Sequence, residues 1–213
     1  ARPSSPPRHK RRLERPTKAY ELHDCALYSV RGYGQLLLAL RWPGTEIELR
    51  QLATDQASYK VFPQEQDGKV REVQSPVPQL AVVQARIATL LRRVAPPQYR
   101  HSGVRGRSFL SNAEQHLNAH PAVRIDIRRY YPSTTFSHVN MFFRDTMKCA
   151  ADVANLLAQV CCYGQMHLPT GGKHSEELAF QCHRVVFDRL HERAIQRGGG
   201  KLFVVEGLVA VFV

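Results

Sequence analysis

At 213 residues the chain is long enough for one or two domains with a sizeable core, burying roughly 70% of its unfolded surface, which excludes a disulfide-stapled miniprotein. With 43% hydrophobic and 23% charged residues, its composition is that of an ordinary globular protein, neither disordered nor membrane-embedded. Thirty Lys and Arg against eighteen Asp and Glu give a net charge of +12, so a polyanion is the expected partner, nucleic acid first and an acidic membrane surface second. The first eighteen residues carry Arg2, Arg8, Lys10, Arg11, Arg12, Arg15 and Lys18 against Glu14 alone. Pro3, Pro6, Pro7 and Pro16 interrupt any helix there, so residues 1–18 read as a disordered basic arm. Thr45 and Glu48, after the Pro43-Gly44 break, have the spacing of a reciprocal capping box and start a helix. Residues 57–62 and 69–74 read as two strands around the Asp67-Gly68 turn. Leu80, Val83, Ile87, Leu90, Leu91 and Val94 mark an amphipathic helix that ends before Pro96-Pro97 and holds Arg92 and Arg93 in its last turn.

Residues 123–127 alternate and are β-branched, a strand with Asp126 near its end. A helix is expected over residues 145–163, with Gly164 as its stop, and another from Ser175 as cap, with Leu178, Val185, Val186 and Leu190 on its apolar face. Residues 202–205 and 208–213 then form a hairpin about Glu206-Gly207. This order suits an α+β fold related to the split βαβ arrangement. Five cysteines without a CxxC pair indicate neither a disulfide framework nor a zinc ribbon, and adjacent Cys161 and Cys162 read as buried thiols. The ten histidines lack metal-binding spacing. With no signal peptide and no apolar run long enough to cross a bilayer, a cytoplasmic protein without membrane contact is expected.

A strand-end aspartate, a hairpin glutamate, a glycine-containing loop and a basic hairpin are the parts of a metal-assisted phosphoryl-transfer site. Carboxylates from neighbouring strands suit Mg²⁺, and Lys and Arg on a hairpin neutralise a triphosphate. Taken singly, the bland reading comes first: Asp126 an exposed strand-end acid, Glu206-Gly207 a solvated turn, and Lys69 with Arg71 a charged surface face.

With GKVR at Gly68 to Arg71, HSGVRGRSFLSNAEQH from His101, VRIDIRRYYPS from Val123 and LPTGGKHS from Leu168 in that order, residues 59–208 resemble the reverse transcriptases, most closely the bacterial retron-type and defence-associated group. YKVFPQEQDGKVREVQSPVPQLAVVQARI, with GKVR at Gly68 to Arg71, is similar to the first fingers motif. HSGVRGRSFLSNAEQH, from His101 to His116, is similar to the second. VRIDIRRYYPS, from Val123 to Ser133, resembles the palm strand with the first catalytic aspartate, and LPTGGKHS, from Leu168 to Ser175, resembles the loop supporting template and nucleotide. The resemblance implies the fingers and palm of a right-handed polymerase, with a palm of split βαβ, ferredoxin-like type. Residues 1–18 would be the arm, 19–120 the N-terminal helices and fingers, and 121–213 the palm; the thumb is expected to be absent.

By the same resemblance, Asp126 and Glu206 are the catalytic carboxylates, and Asp126, Glu206 and the Ile127 carbonyl hold two Mg²⁺ ions, with Mn²⁺ as substitute. Lys69, Arg71 and Arg128 attract the triphosphate, Tyr131 crowds a ribose 2′-hydroxyl, and Thr170 and Gly171 lie under the nucleotide. Arg92, Arg93, Arg105 and Arg107 are expected to contact nucleic-acid phosphates. The implied activity is RNA-directed DNA polymerisation, with RNA template and primer or an RNA–DNA duplex as partners and deoxynucleoside triphosphates as substrates. The sequence departs from the family where its paired aspartates stand: Val204-Val205-Glu206-Gly207 offers one carboxylate instead of two. Gln64 and Glu65 likewise stand near a place where lysine is common. The alternative is a catalytically impaired or truncated RNA-binding domain of the same fold.

Overall fold

Thr45 and Glu48 close the capping box that their spacing predicts: the Thr45 hydroxyl accepts from the Glu48 amide and the Glu48 carboxylate accepts from the Thr45 amide. The computed structural model describes residues 19–66, 68–107, 122–196, 201–205 and 208–212. Helices α1 (Tyr33–Leu40) and α2 (Glu46–Thr54) precede an antiparallel hairpin of β1 (Tyr59–Gln66) and β2 (Lys69–Pro76). Gly68 in its turn takes a φ of +71°, where a side chain would be strained; Asp67 lies outside the described residues. The first strand starts at Tyr59 and not at Ala57, because the Asp55 carboxylate accepts from the Ala57 amide and holds Gln56–Ser58 in a 3₁₀ turn.

Helix α3 (Pro78–Leu91) follows, with Pro at its start, where a missing amide costs nothing. It is shorter than expected. Arg92 is its C-cap, and the chain beyond is drawn into a parallel bridge with Tyr20: the Tyr20 amide donates to the Arg93 carbonyl and the Ala95 amide to the Tyr20 carbonyl, both at 2.9 Å.

Strand β3 (Ala122–Asp126) joins β4 (Lys201–Val205) and β5 (Leu208–Phe212) in a three-stranded antiparallel sheet of order β3-β5-β4. Between β3 and β4 come α4 (Tyr130–Ser133), α5 (Phe136–Met141), α6 (Ala151–Cys161) and α7 (Ser175–Gln196). The helix predicted over residues 145–163 is broken. Residues Phe142–Thr146 form a wide π turn, Lys148 takes a φ of +58°, and α6 begins only at Ala151. The break serves a distant partner: the Ser29 amide donates to the Met147 carbonyl at 2.7 Å, the Ala150 amide to the Val30 carbonyl at 2.9 Å, and the Cys149 thiol to the Leu27 carbonyl.

Helix α6 is buried nearly all round, from Val153 and Leu156 to Val160 and Cys161, and packs against α2, α3 and α5. One continuous core joins it to Leu36, Leu49, Ile87, Phe143 and Phe187. Cys161 and Cys162 are buried free thiols, as the sequence suggests. Helix α7 departs from its expected face: Leu178 and Phe187 are buried, whereas Val185 and Val186 are 59% and 54% exposed. Ser175 is the first residue of the helix and not its cap, and its hydroxyl donates back to the Pro169 carbonyl at 2.6 Å. The mixed α+β class with a small antiparallel sheet is compatible with a fingers and palm region. Among the described residues, no helix is long and apolar enough to cross a membrane.

Candidate functional site

Asp126 is the last residue of β3 and is exposed. It stands opposite Leu208 across the sheet, and Leu208 stands opposite Val205, so the ends of all three strands meet in one row. Glu206 and Gly207, between those two positions, lie outside the described residues. Beyond Asp126, Arg129 takes a φ of +53° and starts the short α4, which presents Tyr131 half-buried beside buried Tyr130, ring centroids 5.5 Å apart.

Hydrogen bonds lock this turn. The Ser133 hydroxyl donates to the Arg128 carbonyl at 3.0 Å, and the Thr134 hydroxyl donates to the Tyr130 carbonyl at 3.1 Å. A hydroxyl has one proton to give, so Thr134 accepts from Nε2 of His183, 3.0 Å away on α7. Burial, and then the neighbouring His138 ring, hold His183 below its ordinary pKa, which suits this neutral donor role. Burial likewise pushes the Tyr130 phenol up. None of these supports was anticipated from sequence, because His183 is 49 positions from Thr134.

The β1–β2 register sets Gln64 opposite Arg71 and Gln66 opposite Lys69; Arg71 and Arg128 are exposed. The loop after Leu168 docks on the same strand that carries Arg71. The Thr170 amide donates to Gln74 Oε1, its hydroxyl donates within reach of the Glu72 carbonyl and Gln74 Oε1, and the Gly171 amide donates to the Gln74 carbonyl. A Cβ on Gly171 would stand 2.7 Å from that carbonyl oxygen, so the close approach its glycine permits is to β2 itself.

The predicted phosphate-binding arginines divide into two kinds. Arg92, Arg93 and Arg105 are exposed; Arg92 donates to the Lys173 carbonyl at 3.1 Å, and Arg93 lies 4.7 Å over the Tyr20 ring. Arg107 turns inward, its Nη1 donating to the Pro97 carbonyl at 2.7 Å and the Gln98 carbonyl at 3.2 Å. Burial, then the charge of Arg100, lowers its pKa. Arg107 thus ties together the loop around Arg100, and Arg100 in turn pairs with Glu177 on α7.

Asp126 and the Ile127 carbonyl are hard oxygen donors of the kind Mg²⁺ takes. Among the described residues, no three His, Cys, Asp or Glu side chains gather around a common point.

No protein-family model matches the chain. Curated relatives do. The chain is 29% identical to the retron Se72 reverse transcriptase of Salmonella heidelberg (strain 579083-10) over 125 residues, covering 57% of this chain and 33% of that protein. It is 30% identical to the retron Mx162 reverse transcriptase of Myxococcus xanthus over 122 residues, covering 57% and 24%. To the retron Ec86 reverse transcriptase of Escherichia coli it is 25% identical over 125 residues, covering 57% and 38%. The match thus spans between a quarter and two fifths of the length of these relatives. These matches point to the same group as the ordered motifs read from the sequence, and on both grounds the chain is similar to the retron-type reverse transcriptases.

Proposed function

We propose that this chain is the fingers and palm of an RNA-directed DNA polymerase that extends a primer on an RNA template with deoxynucleoside triphosphates. The observation that carries the reading is the sheet register: Asp126 pairs with Leu208, so the first acid of the family's palm motif stands beside the β4–β5 hairpin, where the family keeps its others. Residues 1–18 form a basic arm, 19–120 the N-terminal helices and fingers, and 121–213 a palm of split βαβ type. Asp126, the Ile127 carbonyl and Glu206 would hold Mg²⁺, or Mn²⁺ in its place, which supplies Lewis acidity and charge neutralisation at the transferring phosphoryl group.

The chain's own residues then position the substrate. Lys69, Arg71 and Arg128 neutralise and orient the triphosphate, and Tyr131 excludes a ribose 2′-hydroxyl by bulk. Thr170 and Gly171 act by fixing β2 against the palm-side loop, so that Arg71 is presented from a supported strand. Arg92, Arg93 and Arg105 contact the template or primer backbone; Arg107 shapes the loop that carries Arg105.

A second reading is favoured by one sequence observation. Gly207 offers no carboxylate where the family has an aspartate, which leaves an RNA-binding domain of this fold without chemistry. Primer extension on an RNA template, with deoxynucleotides and either metal, decides between them when the parent is compared with Asp126→Ala. Extension abolished by the substitution establishes the polymerase. No extension from the parent, with RNA binding retained, establishes the binding module.

A further inference from the structure

Where α1 ends beside α3, Arg41, Arg86 and Arg93 come within electrostatic reach of one another. Arg86 on α3 donates from Nε to the Ala39 carbonyl at 3.0 Å, which fixes it at the negative end of the α1 dipole. Arg41 is the C-cap of α1, and Arg93 lies over the Tyr20 ring just past the end of α3. Partial burial, and then the like charges of Arg41 and Arg93, pull the Arg86 pKa below its ordinary value, so the three groups share one field. Among the described residues, no carboxylate forms an ion pair with Arg41, Arg86, Arg92 or Arg93. Like charges held together without a counter-charge are unfavourable unless an anion joins them.

Two further features point the same way. Arg41 takes φ +58° and ψ +36°, the left-handed conformation that helix ends ordinarily give to glycine. Its backbone carries that strain with an exposed guanidinium in place of glycine, and strain retained at a surface position is a sign of use. Tyr20 is also the point at which the basic arm reaches the fold. Its hydroxyl donates to the Leu90 carbonyl, and its backbone bridges Val94.

We propose that Arg41, Arg86 and Arg93, with Tyr20, form a docking face for the phosphodiester backbone of a structured RNA, separate from the sheet-end site. Planar guanidinium forks match phosphate oxygens two at a time. Leu38 and Val82 are the exposed apolar side chains on these two helices, too few to anchor the face in a bilayer. The proposal asks nothing of catalysis; Arg93 is the one residue it shares with the backbone contacts of the polymerase reading, so its test is made at Arg41 and Arg86.

The test is fluorescence anisotropy of a fluorescein-labelled RNA hairpin titrated with the full chain across a potassium chloride series. Arg41→Gly removes the charge and relieves the left-handed strain, so its thermal midpoint should equal or exceed the parent's. Its slope of log affinity against log salt should fall by about 0.9, and that of Arg41→Gly with Arg86→Gln by about twice as much. Equivalently, each cation removed should make the loss of affinity between 50 and 200 mM salt roughly threefold smaller. Arg41→Lys should keep the parent slope. A folded Arg41→Gly protein with the parent's affinity and slope overturns the proposal. So does Arg41-dependent binding to phosphatidylserine vesicles without any change towards the hairpin.

Discussion

Arg100 and Glu177 are 77 positions apart in sequence and meet as a two-fold hydrogen-bonded pair, 2.9 Å at each contact, with their side chains 4% and 2% exposed. The Phe180 ring lies 4.2 Å below the guanidinium, the Ser102 carbonyl accepts from its Nε, and Gln181 donates to the carboxylate. Such a pair is costly to break because the remaining charge is stranded without water. Glu177→Gln should therefore lower unfolding free energy by about 3 to 5 kcal/mol in urea denaturation, whereas Arg100→Met with Glu177→Leu should cost far less than twice that. A loss under about 1 kcal/mol for Glu177→Gln would mean that water reaches the pair. His174 is the second residue with a clear energetic signature. Fully buried, it donates from Nε2 to the Cys161 carbonyl at 2.7 Å, leaving Nδ1 without a partner, and burial pulls its pKa down to about 4. Its folded pKa is below the unfolded value of about 6.5, so the unfolded chain binds the extra proton between those two values. Stability from this group is complete above about pH 6.5 and declines as pH falls towards 4, by up to about 3 kcal/mol. Urea midpoints at pH 7 and pH 4.5 should show that decline in the parent and a shallower one in His174→Gln.

At the scale of elements, what the sequence made legible was whatever local chemistry decides. Thr45 and Glu48 are three residues apart, and their capping box needs no distant partner. Gly68 marks the hairpin because a positive φ is a local demand, and the β-branched alternation around Ile125 marks β3. The misses share the opposite cause. Nothing near Lys148 announces a left-handed residue, since the break there exists to pair residues 147–150 with residues 27–30. Val185 and Val186 have the right spacing for an apolar face, but α7 turns Phe187 inward instead. For the candidate site, Asp126 at a strand end and the basic hairpin were readable, whereas the docking of Thr170 and Gly171 on β2 was not, because it joins residues 96 to 98 apart. That docking makes its own prediction. Gly171→Ala places a Cβ against backbone atoms of Gln74 and Ser75, which cannot turn aside as a flexible side chain could, and should cost about 1 to 3 kcal/mol. Thr170→Val removes the hydroxyl and should cost about 1 kcal/mol. Both should speed amide hydrogen exchange in β1 and β2 ahead of α6; uniform acceleration in both regions would show that the loop does not hold the hairpin.

At the scale of the whole molecule, charge is partitioned along the chain. Residues 1–18 hold half of the net +12, and the folded part that follows keeps Arg41, Arg92, Arg93 and Arg105 exposed. Counterion release makes each phosphate contact visible as salt dependence, so the two sources of charge separate experimentally. Removing residues 1–18 takes away seven cations, while Tyr20, with its contacts to Leu90, Arg93 and Ala95, remains to close the fold. Thermal unfolding should therefore be unchanged, and the slope of log affinity against log salt for an RNA hairpin should fall by at most about 6, with the remaining slope supplied by the folded surface. The two parts act on one ligand only if they lie along one path. Arg41→Gly, combined with removal of residues 1–18, then lowers the slope by less than the two changes made separately, because each change loosens the strand from the other's phosphates. Strict addition of the two effects would assign arm and folded face to independent stretches of RNA, and no change in slope on removing the arm would leave it without a part in binding.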